Sequence, residues 1–121
     1  MHRWDAQRAG GEPDPIPSDV AADGVSELLE VFVPGLVRRG GAVGNGETFH
    51  LHRTDGEGEW LVRFGADAVS VTTEHAKGDL AWRGTAQDLL LALYRRQPFD
   101  TLETFGDPAL VERWVELVPT L

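Results

Sequence analysis

At 121 residues the chain has the length of one ordinary domain, enough to bury a core without staples, and it has no cysteine to staple it with. The missing thiols exclude disulfides, thiolate metal sites and a cysteine nucleophile, and they fit a cytoplasmic setting. Acidic residues outnumber basic ones by 20 to 11, and the net charge of -9 repels phosphate backbones, so nucleic acid is not an expected partner. No stretch approaches the ~20 apolar residues of a membrane-spanning helix, so no membrane span is expected.

Residues 1–17 read as the tail of a preceding unit. Met1 to Ala9 has helix-forming residues but no N-cap, and Gly10-Gly11 stops it. Glu12-Pro13-Asp14-Pro15-Ile16-Pro17 then forms a stiff, extended linker, because three prolines in five residues exclude helix. The main domain is expected over 18–121.

A helix follows, capped by Ser18 or Asp19, with Ala21, Val25, Leu28, Leu29, Phe32 and Leu36 on one apolar face. Pro34 should kink or interrupt it before Gly40-Gly41. The glycine-rich run Gly40 to Glu47 reads as a loop. Four short strands come next at about ten-residue spacing, read as hairpin-connected and antiparallel. They cover 48–54, 59–64, 68–73 and 77–83, and each carries one clearly apolar face.

Two helices close the chain. Thr85 with Asp88 resembles a capping box ahead of Ala86, Leu89, Leu90 and Leu93. Asp107-Pro108 opens the second, whose expected buried face is Leu110, Val111, Trp114, Val115 and Val118. The whole predicts an α+β fold, an antiparallel sheet of four to five strands flanked by three helices.

Few residues carry chemistry. His50 and His52 lie two apart on a strand and so share a face, which could hold a metal if His75 or Glu74 supplied a third ligand. Nothing in the spacing fixes that ligand, and the residues alone favour two solvent-facing histidines. Ser18, Ser26 and Ser70 stand in no nucleophile-elbow pattern, and the Gly40–Gly46 run lacks the features of a phosphate loop. Arg95-Arg96 ends a helix where cations suit the dipole, and an arginine there could also grip a carboxylate. Trp60, Trp82 and Trp114 read as core, or as the lining of an apolar ligand pocket if the helices leave the sheet unsealed.

Two stretches carry a family resemblance. One is His2-Arg3-Trp4-Asp5-Ala6-Gln7-Arg8-Ala9. The other contains Leu51-His52-Arg53-Thr54-Asp55, Gly58-Glu59-Trp60-Leu61-Val62-Arg63, Glu74-His75-Ala76-Lys77-Gly78-Asp79 and Arg83-Gly84-Thr85-Ala86-Gln87-Asp88. Together they resemble the mycothiol-dependent maleylpyruvate isomerase family of actinobacteria. The resemblance implies a DinB-like helical bundle that binds zinc through two His and one Glu, followed by a C-terminal domain with a sterol-carrier-protein-like fold.

His2 matches the last of those metal ligands; the Glu and the other His would precede Met1. One imidazole cannot hold a catalytic zinc, which takes about three protein ligands. The resemblance therefore implies an accessory domain without a cofactor of its own, with zinc and mycothiol belonging to the intact family and a DinB-like domain as partner. Arg96 matches a family arginine near the substrate, and Arg95 stands where the family often has glycine. A free-standing carrier of a small apolar or sterol-like ligand, and a purely structural domain with a filled core, are the alternatives. A second copy of the chain is a further expected partner.

Overall fold

The computed structural model describes residues 16–119. Pro17 sits immediately before α1 (Ser18–Glu27), so Ser18 is already helical, and no side chain caps the first turn. A π-helical turn (Leu28–Phe32) follows without a break, and α2 (Val33–Gly40) carries Pro34 at its start, where its missing N–H costs little. The interruption expected at Pro34 thus takes the form of a widened turn just before it. That turn also shifts the helical phase. Val33 is fully buried, whereas Phe32, expected in the apolar stripe, is 38% exposed. Gly41, with φ 78°, closes α2 in the left-handed conformation that glycine adopts freely.

The sheet contains β1 (Glu47–Arg53), β2 (Glu59–Phe64), β3 (Val69–Thr72), β4 (Leu80–Gly84) and β5 (Glu103–Gly106), in the order β3-β2-β1-β4-β5. Strands β1, β2 and β3 form the expected antiparallel hairpins. The fourth strand departs from a simple meander: β4 crosses over to lie parallel to β1, while β5 pairs antiparallel with β4. Strand periodicity says which face a residue takes but not which neighbour its strand finds. The crossover is pinned at Asp79, whose backbone N–H donates to Thr48 O and Oγ1 (both 2.9 Å) and whose Oδ2 accepts from Thr48 N–H at 3.0 Å.

Helix α3 (Ala86–Leu93) starts as its sequence predicts, with Thr85 Oγ1 accepting from Asp88 N–H at 3.1 Å. A short 3-10 turn (Phe99–Thr101) leads into β5. Helix α4 (Ala109–Leu117) is introduced by Asp107, whose Oδ1 accepts from Ala109 N–H at 3.0 Å. Its inner face is Trp114 and Leu117, with Val118 just beyond; Val115, expected inside, is 46% exposed.

All the helices contribute to one core against one face of the sheet. Its centre is aromatic. Trp114 meets Phe49, Phe64 and Trp82 nearly edge-on, with centroids 5.0, 5.3 and 5.4 Å away, and Trp82 stacks on Phe99 at 4.7 Å. Such pairs add about 1 kcal/mol each beyond the area they bury.

Candidate functional site

The other face of the sheet carries the polar chemistry. Alternation along β1 sends Phe49 and Leu51 into the core and turns His50 and His52 away from it. The register with β2 then places Glu59 directly opposite His52, and Leu61 opposite His50. Sequence reasoning does not single out Glu59, although it directly follows the Asp55-Gly56-Glu57-Gly58 turn that His52 precedes.

Three imidazoles converge on one oxygen of that carboxylate. Glu59 Oε1 lies 3.0 Å from His50 Nε2, 3.1 Å from His52 Nδ1 and 2.5 Å from His75 Nδ1. His75 arrives on the connector between β3 and β4, and its ring meets that of His50 at 5.9 Å. Burial differs sharply across the group: His50 is only 9% exposed, whereas the His75 side chain is 82% exposed. The hydrogen bond from His75, followed by those from His52 and His50, outweighs desolvation and lowers the Glu59 carboxyl to about 2. The expected solvent-facing pair is therefore a connected cluster. Glu74, the other carboxylate considered, accepts instead from Thr72 Oγ1 at 3.2 Å.

An open cleft borders the cluster on each side. One, of about 480 Å³, is lined by Asp19, Ser26, Arg53, Glu59 and Trp60 among others. The second, of about 500 Å³, is lined by His50, Lys77, Asp79, Ala81 and Phe105 among others.

The three tryptophans are not grouped together. Trp60 lines the first cleft and donates from Nε1 to Ser26 Oγ at 2.9 Å. Trp82 and Trp114 are buried in the ring cluster, and the cavity beside Trp114 measures only about 10 Å³.

The arginine pair divides as well. Arg95 adopts φ 62°, donates from Nη2 to Val118 O at 2.9 Å and lies over the Phe99 ring at 5.3 Å. Burial lowers its pKa. Its backbone N–H reaches Ala92 O while that of Arg96 reaches Leu91 O, the paired bonds of a left-handed helix C-cap. Glycine, expected at this place from the resemblance, suits that conformation. Arg96 leaves the helix beside it and donates from Nη1 to Tyr94 O at 3.0 Å. His2 lies outside the described residues.

A mostly antiparallel sheet with helices on one side makes an α+β domain, and its fold is sterol-carrier-protein-2-like. The chain belongs to the family described as the MDMPI C-terminal domain, the C-terminal domain of the maleylpyruvate isomerase family, which it matches over residues 19–113. Among solved structures it is similar to the UbiJ-SCP2 ubiquinone synthesis protein, at 21% identity and TM-score 0.50, covering 86% of this chain and 93% of that one. It is also similar to a double mutant of the sec-alkyl sulfatase PisA1, at 15% identity and TM-score 0.62, covering 88% of this chain and 17% of the sulfatase. The stereoselective inverting sec-alkylsulfatase Pisa1 from Pseudomonas sp. matches at 14% identity and TM-score 0.56, over 70% of this chain and 14% of that one. At these identities the likeness is one of fold. No curated protein matches the chain. No helix among the described residues is long and apolar enough to cross a membrane.

Proposed function

We propose that this chain is the accessory domain of a cytoplasmic, mycothiol-dependent maleylpyruvate isomerase-like protein, not catalytic alone, which completes a substrate cleft with a DinB-like metal-binding partner. The observation that carries this reading is the one-sided packing of a domain of that family. Its helices seal an aromatic core on one face and leave the polar sheet face without helical cover. Among the described residues the cavity beside Trp114 measures about 10 Å³, too small for an apolar ligand of useful size.

Arg96 is the arginine of the pair assigned to substrate. The family resemblance is what points to Arg96, which is half-buried and donates to Tyr94 O; its guanidinium would meet a substrate carboxylate through two parallel hydrogen bonds. The zinc implied by the family resemblance would be held by the partner, since a single imidazole such as His2 cannot hold a catalytic zinc, which takes about three protein ligands. This domain's part is binding and orientation.

The test is reconstitution. The purified chain is mixed with a DinB-like metal-binding domain, and thiol-dependent isomerisation is followed with and without Arg96→Ala. Activity that needs both components, and a raised KM for the variant, supports the reading. Failure to associate, or full activity of the partner alone, overturns it. The likeness in fold to UbiJ-SCP2 supports a second reading, a carrier of a small apolar ligand, which requires the core to open.

A further inference from the structure

We propose that His50 Nε2, His52 Nδ1 and Glu59 Oε1 form a binding site for a divalent transition-metal ion, closed by His75 as fourth ligand. The inference does not rest on the accessory-domain reading. It concerns residues of this chain's own sheet, apart from the zinc ligands that the family resemblance places upstream.

The donor atoms are already gathered. Those of His50, His52 and Glu59 all lie within 4.8 Å of one another. Two imidazoles and a carboxylate are a donor set that suits zinc and its first-row neighbours rather than magnesium or calcium, which favour all-oxygen shells. In a tetrahedral zinc site, bonds of about 2.0–2.1 Å put ligand atoms about 3.3 Å apart. The observed 3.0 and 3.1 Å separations from Glu59 Oε1 are close to that, so small side-chain adjustments admit an ion.

The hydrogen-bonded arrangement by itself is over-committed. A carboxylate oxygen has two lone pairs, yet Glu59 Oε1 faces three ring nitrogens. A cation between them would replace three competing contacts with one centre that every donor can share. Each imidazole would stay neutral, carrying its single proton on the nitrogen that faces away from the ion.

Placement also favours the site. Three of the donors sit on adjacent strands in fixed register, which holds them more firmly than loops would. His50 is nearly buried, so its geometry is set by the sheet, while the exposed His75 on its connector leaves an entry path. The connector is kept close to β1 at Gly78, where an added Cβ would lie 2.8 Å from His50 N.

The test is titration of the chelator-stripped, full-length chain with Zn²⁺ by calorimetry, and with Co²⁺ by its visible absorption. The expected result is one ion per chain and a Co²⁺ spectrum of low coordination number. His52→Ala and Glu59→Gln should each abolish stoichiometric binding, and His75→Ala should weaken it. Near-ultraviolet circular dichroism from the buried tryptophans monitors folding. Should Glu59→Gln misfold, His52→Ala decides alone, since His52 is partly exposed and outside the core. His2→Ala should leave binding unchanged. A folded wild-type chain that takes up no stoichiometric metal would overturn the site, as would binding that survives His52→Ala or disappears with His2→Ala.

Discussion

Arg53 and Asp55 meet at 3.0 Å at the end of β1, and their pairing ties three elements together. Asp55 Oδ1, which receives Arg53 Nε, also accepts the N–H of Ala86 at the start of α3. The buried guanidinium donates from Nη1 to Glu57 O and reaches Asp19 Oδ1 in the first turn of α1 from Nη2. A turn, two helix starts and a strand end therefore depend on one cation and the carboxylates around it.

The pH dependence of stability follows. The Ala86 N–H and, after it, the Arg53 guanidinium hold the Asp55 carboxyl below its ordinary value of 3.8, against the opposing effect of burial. A group whose folded pKa is depressed contributes stability above its unfolded pKa and loses it as pH falls through the folded value. Acid titration below about pH 4 is thus expected to lower the urea midpoint progressively. Asp55→Asn should cost about 2 kcal/mol at neutral pH and flatten that acid limb, because a buried arginine loses a charged partner. An unchanged acid limb in the variant would remove Asp55 from the account.

The aromatic core makes a second prediction. Trp114 touches three rings at once, so Trp114→Ala should open a cavity and cost about 3–5 kcal/mol, with Trp114→Phe costing less. Chemical denaturation followed by far-ultraviolet circular dichroism measures both. A loss below about 1 kcal/mol for the alanine variant would mean that the core collapses around the gap.

The filled core also bears on ligands. Fatty acyl or sterol-like compounds are expected to leave the emission of Trp82 and Trp114 unchanged, because the interface beside them is closed. A saturable spectral shift at ligand concentrations below micelle formation would show that the core opens, and would favour the carrier reading over the accessory one. Trp60 serves as an internal comparison, since it lines the cleft next to Glu59 and its emission could respond without the core opening.

Much of this was legible in the residues. Thr85 and Asp107 announce their helices through local hydrogen bonds, and such bonds depend only on neighbours in sequence. The inner faces of β1 and β2 follow from strict alternation. What escaped depends on partners distant in the chain or on a change of phase. The parallel pairing of β1 with β4 is invisible to periodicity, and β5 is too short and exposed to show an apolar stripe. Phe32 and Val33 exchanged places because a π turn rotated the stripe, and no single residue marks such a turn in advance. The histidine cluster was half seen. His50 and His52 share a face by period, but Glu59 joins them only once the hairpin register is known, and His75 only once the crossover is.

Gly106 supplies a further test of the β4–β5 edge. It has φ 97°, and an added Cβ would collide with Asp79 O and lie 3.2 Å from Leu80 Cα. Gly106→Ala is expected to destabilise the chain by about 1–3 kcal/mol and to speed amide exchange in β5 ahead of the other strands. Uniform exchange across the sheet would show that the edge is not a separate unit.

Arg95 allows the C-cap of α3 to be separated from its side-chain contacts. Arg95→Ala keeps a side chain in the left-handed conformation while losing the bond to Val118 O and the stacking on Phe99. Arg95→Gly loses the same contacts but relieves the backbone, which for a left-handed residue is a difference of about 1 kcal/mol. The glycine variant should therefore be the more stable of the two, by roughly that amount in urea denaturation. Equal stabilities, or a more stable alanine variant, would show that the φ of 62° carries no strain and that Arg95 is held there by its contacts alone. The predicted order would confirm that this arginine occupies a glycine-type position at the C-cap of α3.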